Sequence, residues 1–112
     1  MSTIDDLESI NERLGDWIIN TVPGPGNAQG MQDMQQAMSL HNQLDQLLAR
    51  LQLADLQAQA AKLGAILNRQ GTQLTSISAK INGTANTIQD AESVISYAAQ
   101  AVAAAASIAS FL

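Results

Sequence analysis

From Met31 to Leu112 apolar residues recur in steps of three and four, and no proline interrupts them. One stripe runs Leu40, Leu44, Leu47, Leu51, Ala54, Ala58, Ala61 and Ala65. A second begins at Leu53 and continues through Leu56, Ala60, Leu63 and Leu67. Past the polar Gln70 it resumes as Leu74, Ile77, Ile81, Thr84, Ile88, Ala91, Ile95, Ala98, Val102, Ala105, Ala109 and Leu112. This spacing puts one side chain per turn on a single helical face, and its persistence predicts a seam of the coiled-coil kind. Between Leu51 and Leu67 both stripes are present, so a two-stranded pair would leave one of them wet. At least three packed helices are therefore expected there, from this chain or from neighbouring copies.

Residues 3 to 21 predict a shorter amphipathic helix ahead of the seam. Thr3 stands where it can cap that helix, Asp5 and Asp6 suit its positive N-terminal end, and Ile4, Leu7, Leu14, Trp17 and Ile18 share a face. Trp17, the only tryptophan, is expected to anchor the helix on the rest of the molecule. The stretch VPGPGNAQG then ends it, because Pro23 and Pro25 donate no backbone hydrogen bond and the glycines favour turns. The expected organisation is an amphipathic helix over 1–22, a Pro/Gly linker over 23–30 acting as a hinge, and a helical hairpin or long coiled-coil helix over 31–112. Asn27 is a candidate cap for the helix that follows the linker.

The seam crosses Gly71 and Gly83 without losing phase, which permits one unbroken helix of roughly 120 Å at the standard rise. LNRQGTQL is also a good break, with Gly71 suited to a left-handed helix end and Thr72 to a cap. The preferred expectation is an all-α fold: a long helical hairpin that turns near Asn68–Thr72, preceded by the short N-terminal helix. KINGTANTI, around Asn82-Gly83, is the rival turn.

In this plan of short helix, Pro-Gly-Asn loop and long helical seam, the chain resembles the small helical subunits of type III secretion needles. In size and hairpin it is similar to the WXG100 secreted proteins. The WxG turn itself is missing, since Gly15-Asp16-Trp17 has another order and place, and no functional residue carries over from either family.

Composition narrows the function classes. Apolar residues make up 46% of the 112 and aromatics 3%, a balance of helix packing rather than strand packing. A net charge of −5, with Asp5, Asp6, Glu8, Glu12 and Asp16 near the start, disfavours nucleic acid as a partner. The absence of cysteine removes thiolate metal sites and thiol nucleophiles. His41 is the sole histidine, and Ser39, two residues away on a helix, does not face it. Asp90 and Glu92 lack supporting ligands, so neither a metal nor a cofactor is implied and the chain is not expected to be an enzyme. The acidic start MSTIDDLESINERL is unlike a Sec-type signal peptide, which leaves the cytoplasm and export by a dedicated secretion machine both open.

The remaining candidate is the stretch SYAAQAVAAAASIASFL, Ser96 to Leu112, which carries no charged side chain. Ala99, Ala103 and Ser107, and again Ala101, Ala105 and Ala109, stand four apart, a spacing that lets helix backbones approach closely. With Val102 and Leu112 they form the expected interaction surface, while Leu74, Ile77, Ile81, Ile88 and Ile95 form the seam. The expected function is a non-enzymatic assembly or partner-binding protein, such as a small exported or secretion-apparatus subunit, that meets copies of itself or another helical protein. The alternative is a membrane-active helical protein, a pore component or toxin-associated helix, whose last helix inserts conditionally. Ser96, Gln100, Ser107 and Ser110 make that helix marginal as a span.

Overall fold

The face shared by the apolar residues of the first segment is real: Leu7, Ile10, Leu14 and Trp17 are fully buried on α1, which spans Thr3–Asn20. The computed structural model describes residues 3–21, 23–56 and 58–112, apart from the side chain of Ala60. After α1 come α2 (Ala28–Leu53), α3 (Ala60–Asn82), a 3-10 turn (Ile88–Asp90) and α4 (Ala91–Ala109). No strand occurs among the described residues, and the fold is all-α.

Side-chain hydrogen bonds fix the directions of the helices. Asn11 donates to Asp45 Oδ1 at 2.6 Å and Gln52 donates to Glu8 Oε1 at 2.8 Å, so α1 and α2 run antiparallel. Thr75 donates to Asp6 Oδ2, Ser78 to Ser9 and Arg13 to the Thr84 carbonyl, an ascending order on both sides that makes α1 and α3 parallel. α4 returns alongside α3. Around the bundle the order is α1, α2, α4, α3: α2 and α3 each pack on both α1 and α4 and stand at opposite corners. The molecule is thus two helical hairpins, α1–α2 and α3–α4, laid side by side in a body 52 Å long. Burial of the apolar stripes between them, at about 25 cal/mol per Å² removed from water, is the main stabilising term. Leu44, Leu51, Leu63, Leu74, Ile81, Val94 and Ile108 are among the residues below 2% exposure.

The turn does not fall near Asn68–Thr72. α3 runs straight through these residues, and the Thr72 hydroxyl donates to the Asn68 carbonyl at 2.9 Å inside the helix instead of capping a new one. Gly71 serves close approach: a Cβ there would stand 3.0 Å from Thr3 Oγ1, so its bare backbone lets the start of α1 lie against α3. A glycine tolerated within a helix costs roughly 1 kcal/mol relative to alanine, less than packing returns at such a contact. The α3–α4 hairpin turns instead at the rival position, where Asn82 Nδ2 and Thr84 Oγ1 donate back to the Ser78 and Ile81 carbonyls as the helix ends. A further reversal lies between α2 and α3, where Asp55 takes φ 52°, and no glycine or proline announces it.

The Pro/Gly stretch is a turn between packed helices. Gly26 adopts φ 80°, Asn27 accepts the Gly30 amide at 2.9 Å as the expected cap, and α2 begins at Ala28, inside the stretch assigned to the linker. Val22, counted in the proposed hinge, lies outside the described residues. With Trp17 at 0% exposure, α1 is packed into the common core, as expected of its anchoring role.

Candidate interaction surface

α4 shows how an alanine-rich helix is shared between core and solvent. Ala91, Val94, Ile95, Ala98, Ala101, Ala104, Ala105, Ile108 and Ala109 point into the bundle and are buried. Of the expected interaction residues, Ala101, Ala105 and Ala109 are therefore covered by this chain's own helices. Ala99 and Ala103 are exposed, and Val102, Ser107 and Leu112 are half-buried. The seam residues Leu74, Ile77, Ile81 and Ile95 are buried, and Ile88 is partly buried in the 3-10 turn. The small side chains let α4 sit close to both α2 and α3, so part of the backbone approach expected between chains occurs within one.

The outward side of α4 starts at the exposed Glu92 and Ser93; from Ser96 on, through Ala99, Gln100, Ala103 and Ala106 to Ser110, it is free of charge. Beside it, an open groove of about 350 Å³ runs between α2 and α4, lined by Gln43, Gln46, Leu47, Arg50, Val102 and Ala106. Arg50, its one charged residue, leans on the end of α4 with Nη2 3.5 Å from the Ala109 carbonyl. The acidic residues of the first segment are all on α1, which faces α4 across the diagonal of the bundle. The α1 carboxylates and the α4 stretch from Ser96 onward thus lie on opposite corners.

The other polar clusters have structural work. His41 Nδ1 stands 3.5 Å from Asp45 Oδ2, and Asp45 in turn accepts from Asn11. The imidazole lies over Gly15, where a Cβ would stand 3.0 Å from Nε2, so this group spaces α1 from α2. Arg13 and Trp17 converge on the α3–α4 turn. Arg13 reaches Asn86 Oδ1 and the Thr84 carbonyl, both at 2.6 Å, and the Trp17 indole donates to the Thr87 carbonyl at 3.1 Å. The carbonyls they satisfy lie seventy residues downstream, and helical periodicity carries no sign of that pairing. Asp6, 1% exposed, accepts from Thr75 at 2.7 Å through one oxygen and leaves the other unpartnered. It borders a polar cleft of about 240 Å³ with Thr3, Asn68, Gly71, Thr72 and Thr75. Among the described residues no three His, Asp or Glu side chains gather as a metal site.

No protein-family model, curated protein or solved structure matches this chain. Its four packed helices also differ from the plan of one short helix and a two-armed hairpin on which the likeness to needle subunits and WXG100 proteins rested. Among the described residues no helix is long and apolar enough to cross a membrane.

Proposed function

We propose that this protein is a non-enzymatic assembly subunit whose copies meet through the outer side of α4 and the adjoining α2 groove. The observation that carries the reading is the segregation of charge. A chain of net charge −5 repels its own copies. Repulsion is weakest where the α4 stretches from Ser96 onward, with Arg50 the one charge in the adjoining groove, face each other and the α1 corners, which hold five of the ten carboxylates, turn away. The chemistry of the corner suits a two-fold contact. Gln43, Gln46 and Gln100 each carry both donor and acceptor, so the same amide can pair with its copy across the axis. Ala99, Ala103 and Ala106 allow the two α4 backbones to come close.

Light scattering across a concentration series tests this. Wild type is expected to form a concentration-dependent dimer, and Ala103→Lys to shift it towards monomer while the thermal melt stays unchanged, because position 103 is outside the core. Ile19→Lys, exposed on α1 at the opposite corner, should leave the dimer intact. A wild type that stays monomeric to millimolar concentration, or a dimer indifferent to Ala103→Lys, would overturn the proposal. So would leakage from liposomes that Ala103→Leu increases, since leucine favours hydrocarbon over an aqueous contact surface.

A further inference from the structure

The reversal between α2 and α3 has the sequence of a helix. LADLQAQA, residues 53 to 60, contains no glycine or proline and is rich in alanine, leucine and glutamine, all good helix formers. Both apolar stripes pass through it in helical phase, Leu51 to Ala54, Ala58 and Ala61 on one side and Leu53 to Leu56 and Leu63 on the other. The backbone nevertheless turns back. Asp55 takes φ 52°, the one positive value among the described residues other than glycine, in a region L-residues rarely adopt. Local bonds close the bend: Asp55 N–H reaches the Gln52 carbonyl and its carboxylate receives Ala58 N–H, both at 3.4 Å, and the Gln59 amide donates to the Asp55 and Leu56 carbonyls at 3.2 Å. Leu53, at the end of α2, is left 89% exposed. Local preference and the folded conformation conflict at this point.

The bend is held by the docking of one hairpin on the other. The bonds from Thr75 to Asp6, Arg13 to Thr84, Trp17 to Thr87 and Arg50 to Ala109 all join α1–α2 to α3–α4 or its turn. None of them requires the two hairpins to belong to the same chain.

We propose that the bend at Asp55 is a hinge that straightens into helix, so that α2 and α3 become one continuous helix and the α3–α4 hairpin of one copy docks on the α1–α2 hairpin of a second. The partner is this same chain. Because α2 and α3 are antiparallel at opposite corners, two straightened helices run antiparallel and rebuild a four-helix bundle at each end, with every hairpin-to-hairpin contact kept in trans. The Asp55 backbone relaxes into helix, and Leu53 acquires a neighbouring helix to pack on. This exchange uses the inner faces of the hairpins and does not depend on the outer side of α4.

Two substitutions at Asp55, which is exposed, move the equilibrium in opposite directions. Asp55→Gly accepts the positive φ and should favour the closed monomer, whereas Asp55→Ala favours helix and should favour exchange. With no native cysteine, spin labels attached at Gln36→Cys and Ala79→Cys report the hinge directly. These positions lie at nearly equal heights above the connection, so in the closed chain they are separated by about the 22 Å width of the bundle. In the straight helix they are roughly 65 Å apart, at about 1.5 Å per residue. Labelled chain is mixed with excess unlabelled chain, unfolded in urea and refolded together at high concentration, so that only distances within a chain are read. The expected result is a long-distance population that accompanies dimer, rises at least fivefold in Asp55→Ala over wild type and falls in Asp55→Gly. It should persist in Ala103→Lys refolded in this way, whereas chain concentrated without unfolding should lose its dimer in that variant, which separates exchange from outer-face association. A dimer with only the short distance, or an Asp55→Ala protein that is monomeric or short-distance throughout, would overturn the proposal.

Discussion

Replacing Trp17 separates what its ring contributes by filling space from what it contributes by holding a turn. In Trp17→Phe most of the ring burial survives while the Nε1 bond to the Thr87 carbonyl is lost. That carbonyl also accepts the Asp90 amide at 3.1 Å, so the substitution does not orphan it. The penalty for an unsatisfied buried acceptor, about 1–3 kcal/mol, therefore does not apply, and the bond itself is worth about 0.5–1.5 kcal/mol net. With the small space left by the far, benzo end of the indole, the total is about 1–2.5 kcal/mol. Trp17→Ala empties a fully buried site and should cost about 3–5 kcal/mol. Urea unfolding followed by circular dichroism measures both, since the only tryptophan is absent from the variants and its fluorescence cannot report. Each kcal/mol should lower the melting temperature by about 4–6 °C in a chain of this size. If Phe costs as much as Ala, the space-filling account is refuted; if Ala costs less than 1 kcal/mol, α1 is not part of the core.

Ile81, at 0% exposure, should not tolerate Ile81→Asp: an unpaired carboxylate in the core costs several kcal/mol, and cooperative unfolding by circular dichroism should be lost. Gly64→Ala, with nothing within 4 Å of the new Cβ on α3, should raise stability by about 0.5–1 kcal/mol in the same assay. Gly71→Ala should be near neutral, the gain in helix propensity opposed by the contact with Thr3 Oγ1 at 3.0 Å; a hairpin turn at Gly71 would instead make it clearly destabilising. Arg13→Met should cost about 1–3 kcal/mol through its lost bonds to Thr84 and Asn86, and faster amide exchange at residues 84–87 should accompany it.

The faces of these helices were legible because burial repeats with the helical period. Leu7, Leu14, Leu74, Ile77 and Ile81 are buried where the stripes put them. The number and position of the breaks were not. Gly71 carries the composition of a turn and lies in mid-helix, while the sequence around Asp55 carries the composition of a helix and the chain bends there. Both are decided by packing between hairpins, which outweighs local preferences of order 1 kcal/mol. Missing the second break removed a helix from the count. With too little of the chain available to surround α4, Ala101, Ala105 and Ala109 were assigned to neighbouring molecules, whereas α2 and α3 cover them here. The uncharged character of the tail was readable directly; which of its alanines face outward was not, because alanine occurs around its whole circumference.

The grip of α1 on the distant turn also orders events during synthesis. Thr87 emerges from the ribosome seventy residues after Trp17, a delay of roughly 4–14 s at 5–20 residues per second. Over that interval the nascent α1–α2 hairpin presents an indole and a row of leucines with nothing to cover them, on a polysome where other copies are at the same stage. On the proposed exchange, an α3–α4 hairpin from a neighbouring ribosome can meet that surface before the chain's own does. The speed of translation across residues 17 to 87 thus becomes a determinant of which hairpin each α1–α2 pair first encounters.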